Sequence, residues 1–227
     1  MYFFDQTLTS AKARVLQINA EESGLAVVLD QTVFYVQGGG QPGDRGTIST
    51  QDSTFSVSKT IRDANGNALH LGQFTKGELS VGCEVHLDID QPLRQEHSRL
   101  HSAGHLIDLA VDKIGLKWGP GKGCHFPGSC CVEYKTHNDE DHDLKALQVQ
   151  LQQEYERLVQ ADLPVIITIE EDGTSGGLHG LPLRQVAFAG GKKCPCGGTH
   201  VPSSSHLHGI TITKLKFKNG MCKVNYQ

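Results

Sequence analysis

No run of apolar residues in this chain approaches the length that a helical bilayer span requires, so no membrane partner is expected. Positive charge is not in excess either. Lys and Arg number 21 against 25 Asp and Glu, a formal net charge of −4. That balance exerts no general pull on a polyanion, so no DNA partner is expected, and any RNA would have to be met by a local basic patch. The first residues, Met1-Tyr-Phe-Phe-Asp5, hold neither a basic segment nor a long apolar one. A secretory leader is therefore not expected, and the cytoplasm is the default compartment. Internal repeats, heptad runs and low-complexity tails are absent as well.

What the chain has instead is histidine and cysteine. There are 12 His and 7 Cys. In a reducing compartment the odd cysteine count reads as free thiols, mostly buried as small apolar groups. Two spacings stand out. His101-Ser-Ala-Gly-His105 falls in a helical pattern, where side chains four apart share one face one turn apart. Cys196-Gly-Gly-Thr-His200 offers a thiolate and an imidazole at the same interval, with two glycines to let the backbone fold tightly between them. Brought together, the pairs make a Cys-His₃ set, which suits Zn²⁺ better than the oxygen-seeking Mg²⁺ or Ca²⁺. Spacing alone leaves two rivals open: His97, four residues before His101, and Cys194, which could replace Cys196 as the thiolate.

The expected fold class is α+β: a small N-terminal β-barrel domain over 1–90, then an α/β domain over 91–227 with antiparallel sheet and two main helices. Short apolar runs at 13–18, 25–29, 33–36, 46–48, 55–57 and 84–89, separated by turn signals, read as strands of a barrel or sandwich. Within them lies a Gly-rich loop, Val36 to Gly46, whose three consecutive glycines permit close backbone approach to a ligand. It has no phosphate-loop lysine and no helix following it. Asp90 is expected to cap a helix that carries the His pair and stops at Gly115. A Gly-rich turn holding Lys122 and His125, which could contact a substrate or be plain solvated loop residues, leads into one or two strands. Asn138 is expected to cap a second helix that ends before Pro164. Strands follow at 165–169 and 183–188, with Gly-rich Asp172–Gly177 between them. A closing hairpin turns at Asn219-Gly220. The apolar phase slips between Ile212 and Leu215, which predicts a β-bulge near Thr213–Lys214. Lys214, Lys216 and Lys218 then line one face of that hairpin, a local basic patch for a nucleic-acid partner or an edge-strand guard against aggregation. Lys122 joins them as a candidate contact of the same kind.

The two metal-type motifs, with Phe34-Tyr-x-x-Gly-Gly-Gly-Gln-Pro-Gly-Asp-Arg-Gly46 ahead of them, closely resemble the editing domain of alanyl-tRNA synthetases, and most of all the freestanding AlaX proteins of the longer type. The resemblance implies that His101, His105, Cys196 and His200 hold zinc, leaving His97 and Cys194 outside. It implies hydrolysis of the ester joining serine, and also glycine, to alanine tRNA. Gly38, Gly39, Gly40 and Gln41 would wall the acyl pocket, with Thr199 where a hydroxyl could meet substrate. One position departs from the pattern. Gly104 stands where the family usually has Thr, at a cost of about 1 kcal/mol of helix stability relative to Ala. The expectation is a larger or less polar pocket beside the metal. Two alternatives stay open: a Ser-tRNA(Thr) deacylase, since threonyl-tRNA synthetase editing domains carry similar motifs, and a zinc-stabilised RNA-binding module without catalysis.

Overall fold

Six short strands between residues 10 and 89 close on themselves. In this computed structural model, which describes residues 1–21, 24–136, 143–170 and 182–227, they are β1 (Ser10–Glu21), β2 (Gly24–Leu29), β3 (Gly46–Ser49), β4 (Thr54–Arg62), β5 (Ala68–Lys76) and β6 (Glu84–Ile89). Their order is β1-β2-β5-β4-β3-β6, with β6 pairing back onto β1, so no edge is left unpaired. All pairings are antiparallel. β6 shows the alternation of a wall with one wet face: Val85, Leu87 and Ile89 are buried and Glu84, His86 and Asp88 exposed. The inward residues, among them Val15, Val27, Ile48, Phe55 and Leu87, make one core.

The expected strand at 33–36 is not one. Val33 to Val36 are all buried, yet they run as irregular backbone. The backbone of Tyr35 is met from the Gly-rich loop: its N–H donates to the Asp44 carboxylate at 2.7 Å, and its carbonyl accepts from Asp44 N–H at 2.9 Å. β5 takes the place in the barrel that this run was expected to fill. Asp44 also forms a buried ion pair with Arg94, which donates onward to the carbonyls of Val33 and Gln6.

Helix α1 (Gln91–Lys113) begins where expected, with Leu93 N–H donating to the Asp90 carboxylate at 3.1 Å. It ends on Gly115 at φ +84°, and Leu116 N–H closes the last turn onto the Val111 carbonyl at 3.2 Å. Along its middle the helix is buried nearly all round, including Leu100, Ala103, Leu106, Ile107 and Ala110. Helix α2 (Leu144–Gln160) is capped by Asp143, whose side chain accepts from Lys145 and Ala146 N–H. The expected cap at Asn138 and the Gly-rich stretch Asp172–Gly177 lie outside the described residues.

The remaining strands are β7 (Gly119–Cys124), β8 (Cys131–Lys135), β9 (Val165–Glu170), β10 (Leu183–Phe188), β11 (Cys194–Pro195), β12 (Ile212–Lys218) and β13 (Met221–Tyr226). They make a four-stranded sheet, β12-β13-β8-β7, and a three-stranded one, β11-β10-β9. The bulge expected near Thr213–Lys214 is present, as the β12–β13 register shifts between Ile212 and Lys214. The architecture is thus the α+β class expected. The described residues form two compact units, one of 1–38 with 42–96, the other of 97–227 joined by Gly39–Gln41 from the Gly-rich loop.

Candidate metal centre

Four side chains from the two spaced motifs converge within the second unit. Candidate ligand atoms of His101, His105, Cys196 and His200 all lie within 4.8 Å of one another. His105 Nε2 is 3.2 Å from His101 Nε2, His101 Nε2 is 3.1 Å from Cys196 Sγ, and Cys196 Sγ is 3.7 Å from His200 Nε2. A tetrahedron with zinc-to-nitrogen bonds of about 2.0–2.1 Å has edges of about 3.3 Å, slightly longer where sulfur is a corner. Three of the six separations, 3.2, 3.1 and 3.7 Å, lie near those edges, and all six are within 4.8 Å. The chemistry of the donors agrees. Burial first, then the neighbouring imidazoles, holds His101 and His200 well below the usual histidine range. Burial, helped by the Arg184 charge, lowers His105 to about 4. All three are therefore neutral, the form in which imidazole ligates a metal. The donor set fits one zinc ion.

Each ligand has a local reason to be where it is. α1 supplies the His pair at i and i+4. The Cys-to-His turn is held from the sheet by Arg184 of β10, buried, which donates to the carbonyls of Cys196 at 2.7 Å and Gly198 at 3.0 Å. Gly198 is obligatory for packing: a Cβ there would fall 2.7 Å from His101 Nε2. Helix and turn are tied by Val201 N–H donating to Ser102 Oγ at 3.1 Å and by Ser98 Oγ at 2.6 Å from Thr199 Oγ1. The Cys196 thiol is raised by burial, with a Gly198 N–H bond and the Arg184 charge acting the other way.

The rivals are placed too. Cys194, on β11, is not in the cluster. Its Sγ lies 3.4 Å from His105 Nδ1, the ring nitrogen facing away from the other ligands. Burial raises that thiol to about 12, with the neighbouring Cys196 adding to it. His97 is buried and outside the four.

The other expected site residues distribute unevenly. Gln41 and Thr199, 0% and 1% exposed, are bonded to each other: Gln41 Nε2 donates to Thr199 Oγ1 at 2.8 Å, and Thr199 N–H donates to Gln41 Oε1 at 3.1 Å. That reciprocal pair fastens the Gly-rich loop to the Cys-to-His turn. Gly39 and Gly40 belong to the same unit, at φ +52° and +76°. Gly38 belongs to the first, where its carbonyl accepts from Tyr35 Oη at 2.7 Å. Lys122 is exposed on β7, inside an irregularity that the β7–β8 register skips between Pro120 and Gly123. Lys214, Lys216 and Lys218 are exposed on β12, the opposite edge of the same sheet.

Position 104 departs from expectation. Gly104 opens no space beside the cluster, because a Cβ built there would meet His125 Cε1 at 2.6 Å. Nor is His125 a solvated loop residue. It is buried, its ring 4.6 Å from that of His101, with Nδ1 2.5 Å from Tyr226 Oη. Sequence reasoning missed Arg184, Ser98 and Tyr226, since none of them sits at a telling spacing from the ligands, and it gave no role to Ser102 inside the motif.

The comparisons with known proteins agree with the motifs. A family model described as tRNA synthetases class II (A) matches residues 6–93. An alanine–tRNA ligase of Leptospira biflexa is 31% identical, over 93% of this chain and 25% of the ligase. One of Nitrosococcus oceani is 32% identical, over 88% of this chain and 24% of that protein. The alanyl-tRNA editing protein AlaX-L of Pyrococcus horikoshii is 29% identical, over 96% of this chain and 55% of that protein. The chain thus spans about half of the editing protein and about a quarter of the ligases. Over nearly all its length the chain is similar both to the alanyl-tRNA editing protein and to part of the alanine–tRNA ligases.

Proposed function

We propose that the chain is a zinc-dependent deacylase that clears misacylated alanine tRNA, with seryl-tRNA(Ala) as first substrate and glycyl-tRNA(Ala) as second. The observation that carries this reading is the four-donor cluster of His101, His105, Cys196 and His200, lying beside loop residues Gly39–Gln41 in a chain similar to alanyl-tRNA editing proteins. Bound there, zinc would supply Lewis acidity for an ester carbonyl or a water molecule. The protein's own part is positional. Arg184 holds the Cys-to-His turn, Gln41 and Thr199 hold the loop against it, and the buried surroundings exclude bulk water from the ester. Residues 1–90 would serve as the barrel domain and 91–227 as the deacylase domain of a cytoplasmic translation protein. Lys122 and the strip Lys214, Lys216 and Lys218 would meet tRNA phosphates from the two edges of one sheet.

The deciding experiment is hydrolysis of Ser-tRNA(Ala), Gly-tRNA(Ala) and Ser-tRNA(Thr), with and without chelator, by wild type and His105→Ala. Turnover of the two alanine tRNAs, lost on chelation and in the variant along with bound zinc, is the expected result. Turnover confined to Ser-tRNA(Thr) would move the specificity to threonine tRNA. No turnover on any ester, with zinc and tRNA bound, would make the protein a zinc-stabilised RNA-binding module. Hydrolysis that survives the loss of zinc in His105→Ala would remove the metal from the reaction.

A further inference from the structure

Three glycines from three parts of the chain surround one imidazole. A Cβ on Gly104 of α1 would lie 2.6 Å from His125 Cε1 and 3.1 Å from Nδ1. One on Gly123 of β7 would lie 2.6 Å from Nε2, and one on Gly40 of the Gly-rich loop 3.2 Å from Cδ2. Real Cβ atoms essentially never come within 3.0 Å, so the ring bars a side chain at Gly104 and Gly123, whereas at Gly40 the Gly123 carbonyl oxygen, 2.3 Å from a Cβ, bars one first. The ring is also pinned in orientation. Tyr226 Oη donates to the Leu100 carbonyl at 2.9 Å, which leaves its lone pairs for His125 Nδ1 at 2.5 Å. Nδ1 therefore carries the proton in the neutral ring, and Nε2 is left as an acceptor. His125 N–H donates to the Gly40 carbonyl at 2.8 Å, fixing the backbone as well. All this is held 4.6 Å from the ring of His101, a cluster residue.

We propose that His125 is a specificity-determining residue of this site: its imidazole occupies the space a side chain at 104 would take, bounds the acyl group beside the cluster, and offers Nε2 to the hydroxyl of a seryl group. The inference rests on the deacylase reading and deepens it. A wall placed there excludes bulk, and its acceptor separates seryl from alanyl, which has nothing to donate. A site that hydrogen-bonds a hydroxyl rejects the analogue lacking it far better than an apolar pocket distinguishes a methyl group. Gly123 is bare for the same reason, since a side chain there would cover Nε2.

Two measurements test this. The first is the ratio of kcat/KM for Ser-tRNA(Ala) over Ala-tRNA(Ala), with zinc content determined on the same samples. His125→Ala should lower that ratio by about tenfold or more while one zinc per chain is retained. The second is thermal unfolding of Gly104→Ala in the wild-type and His125→Ala backgrounds. Ala in a helix interior ordinarily stabilises, so with the imidazole gone Gly104→Ala should raise Tm by about 2–4 °C, whereas in the wild type it should lower it. A ratio within twofold of wild type in active, zinc-loaded His125→Ala would overturn the specificity role. An equal rise in Tm in both backgrounds would overturn the steric interlock. A wild type inactive on every ester would remove the deacylase reading, and this proposal with it.

Discussion

His70 in the barrel and His101 at the cluster are both buried, and their rings are satisfied in opposite ways. Each nitrogen of His70 has one complementary partner: Nδ1 donates to the Val27 carbonyl at 2.9 Å, and Nε2 accepts from Thr32 Oγ1 at 2.8 Å. His101 turns Nε2 toward a second imidazole nitrogen and a thiol, 3.2 and 3.1 Å away. Hydrogen bonding can satisfy the first arrangement completely. It cannot satisfy the second as fully, because the Nε2 atoms of three neutral rings converge on one another and on a single thiol. A cation at the centre can. Closed pairs are how a protein buries polarity for stability; converging lone pairs are how it builds a metal site.

The largest expected effect on the barrel's side of this contrast comes from opening the buried Asp44–Arg94 ion pair. Asp44 accepts from Arg94 Nε at 2.9 Å and from Tyr35 N–H at 2.7 Å, so removing the carboxylate strands a guanidinium and a backbone donor together. Asp44→Ala should cost about 3–5 kcal/mol, read by chemical denaturation. Asp44→Ala with Arg94→Met should recover much of that loss, since the uncompensated charge goes with the second change. Recovery of nothing would mean that Asp44 acts through the Tyr35 contact and not through the pair.

That pair also marks where the sequence stopped being readable. The barrel was legible from turn signals and short apolar runs, but one of its strands was misplaced. Val33-Phe-Tyr-Val36 has the composition of a strand, but its backbone bonds go to Thr32, to a carboxylate nine residues away and to Arg94 instead of to a ladder. β5 is hard to see in the sequence because Gly72 and His70 interrupt its apolar pattern, and the barrel needs both: a Cβ on Gly72 would meet the Ser56 carbonyl oxygen at 1.9 Å. The cluster was easier to foresee, since ligand geometry imposes a spacing of four on a helix and on a tight turn. Its supports were hidden. Arg184 and Tyr226 act through partners fixed only by folding: Tyr226 is 101 residues from His125 and 126 from Leu100. The register of β13 against β8 and β12 places it there, which no local pattern encodes.

A smaller effect separates the two kinds of histidine by pH. Burial lowers His70 to about 4, against 6.5 unfolded, with the Val27 bond pulling the other way. The folded form therefore binds fewer protons than the unfolded one between those values. Stability from this group is complete above pH 6.5 and is lost as pH falls toward 4, amounting to roughly 3 kcal/mol. The His70 ring protons, followed by NMR, should stay at their neutral positions down to about pH 4. Titration of that ring near pH 6.5 would show that its two bonds are not maintained in solution.

The smallest effect sharpens the comparison at the cluster's own edge, where one contact follows the barrel's logic. Cys194 Sγ sits 3.4 Å from His105 Nδ1, so the nitrogen turned away from the other ligands has a single partner, as the ring nitrogens of His70 do. Such outer partners set the tautomer and tilt of a ligating ring, and losing one typically weakens metal binding by about 10–100-fold. Cys194→Ala should therefore weaken zinc binding by that factor in a chelator competition, with stoichiometry still one per chain. Cys196→Ala should lower the stoichiometry itself. If Cys194→Ala instead abolished binding and Cys196→Ala spared it, the thiolate of the site would be Cys194 and the roles of the two cysteines would exchange.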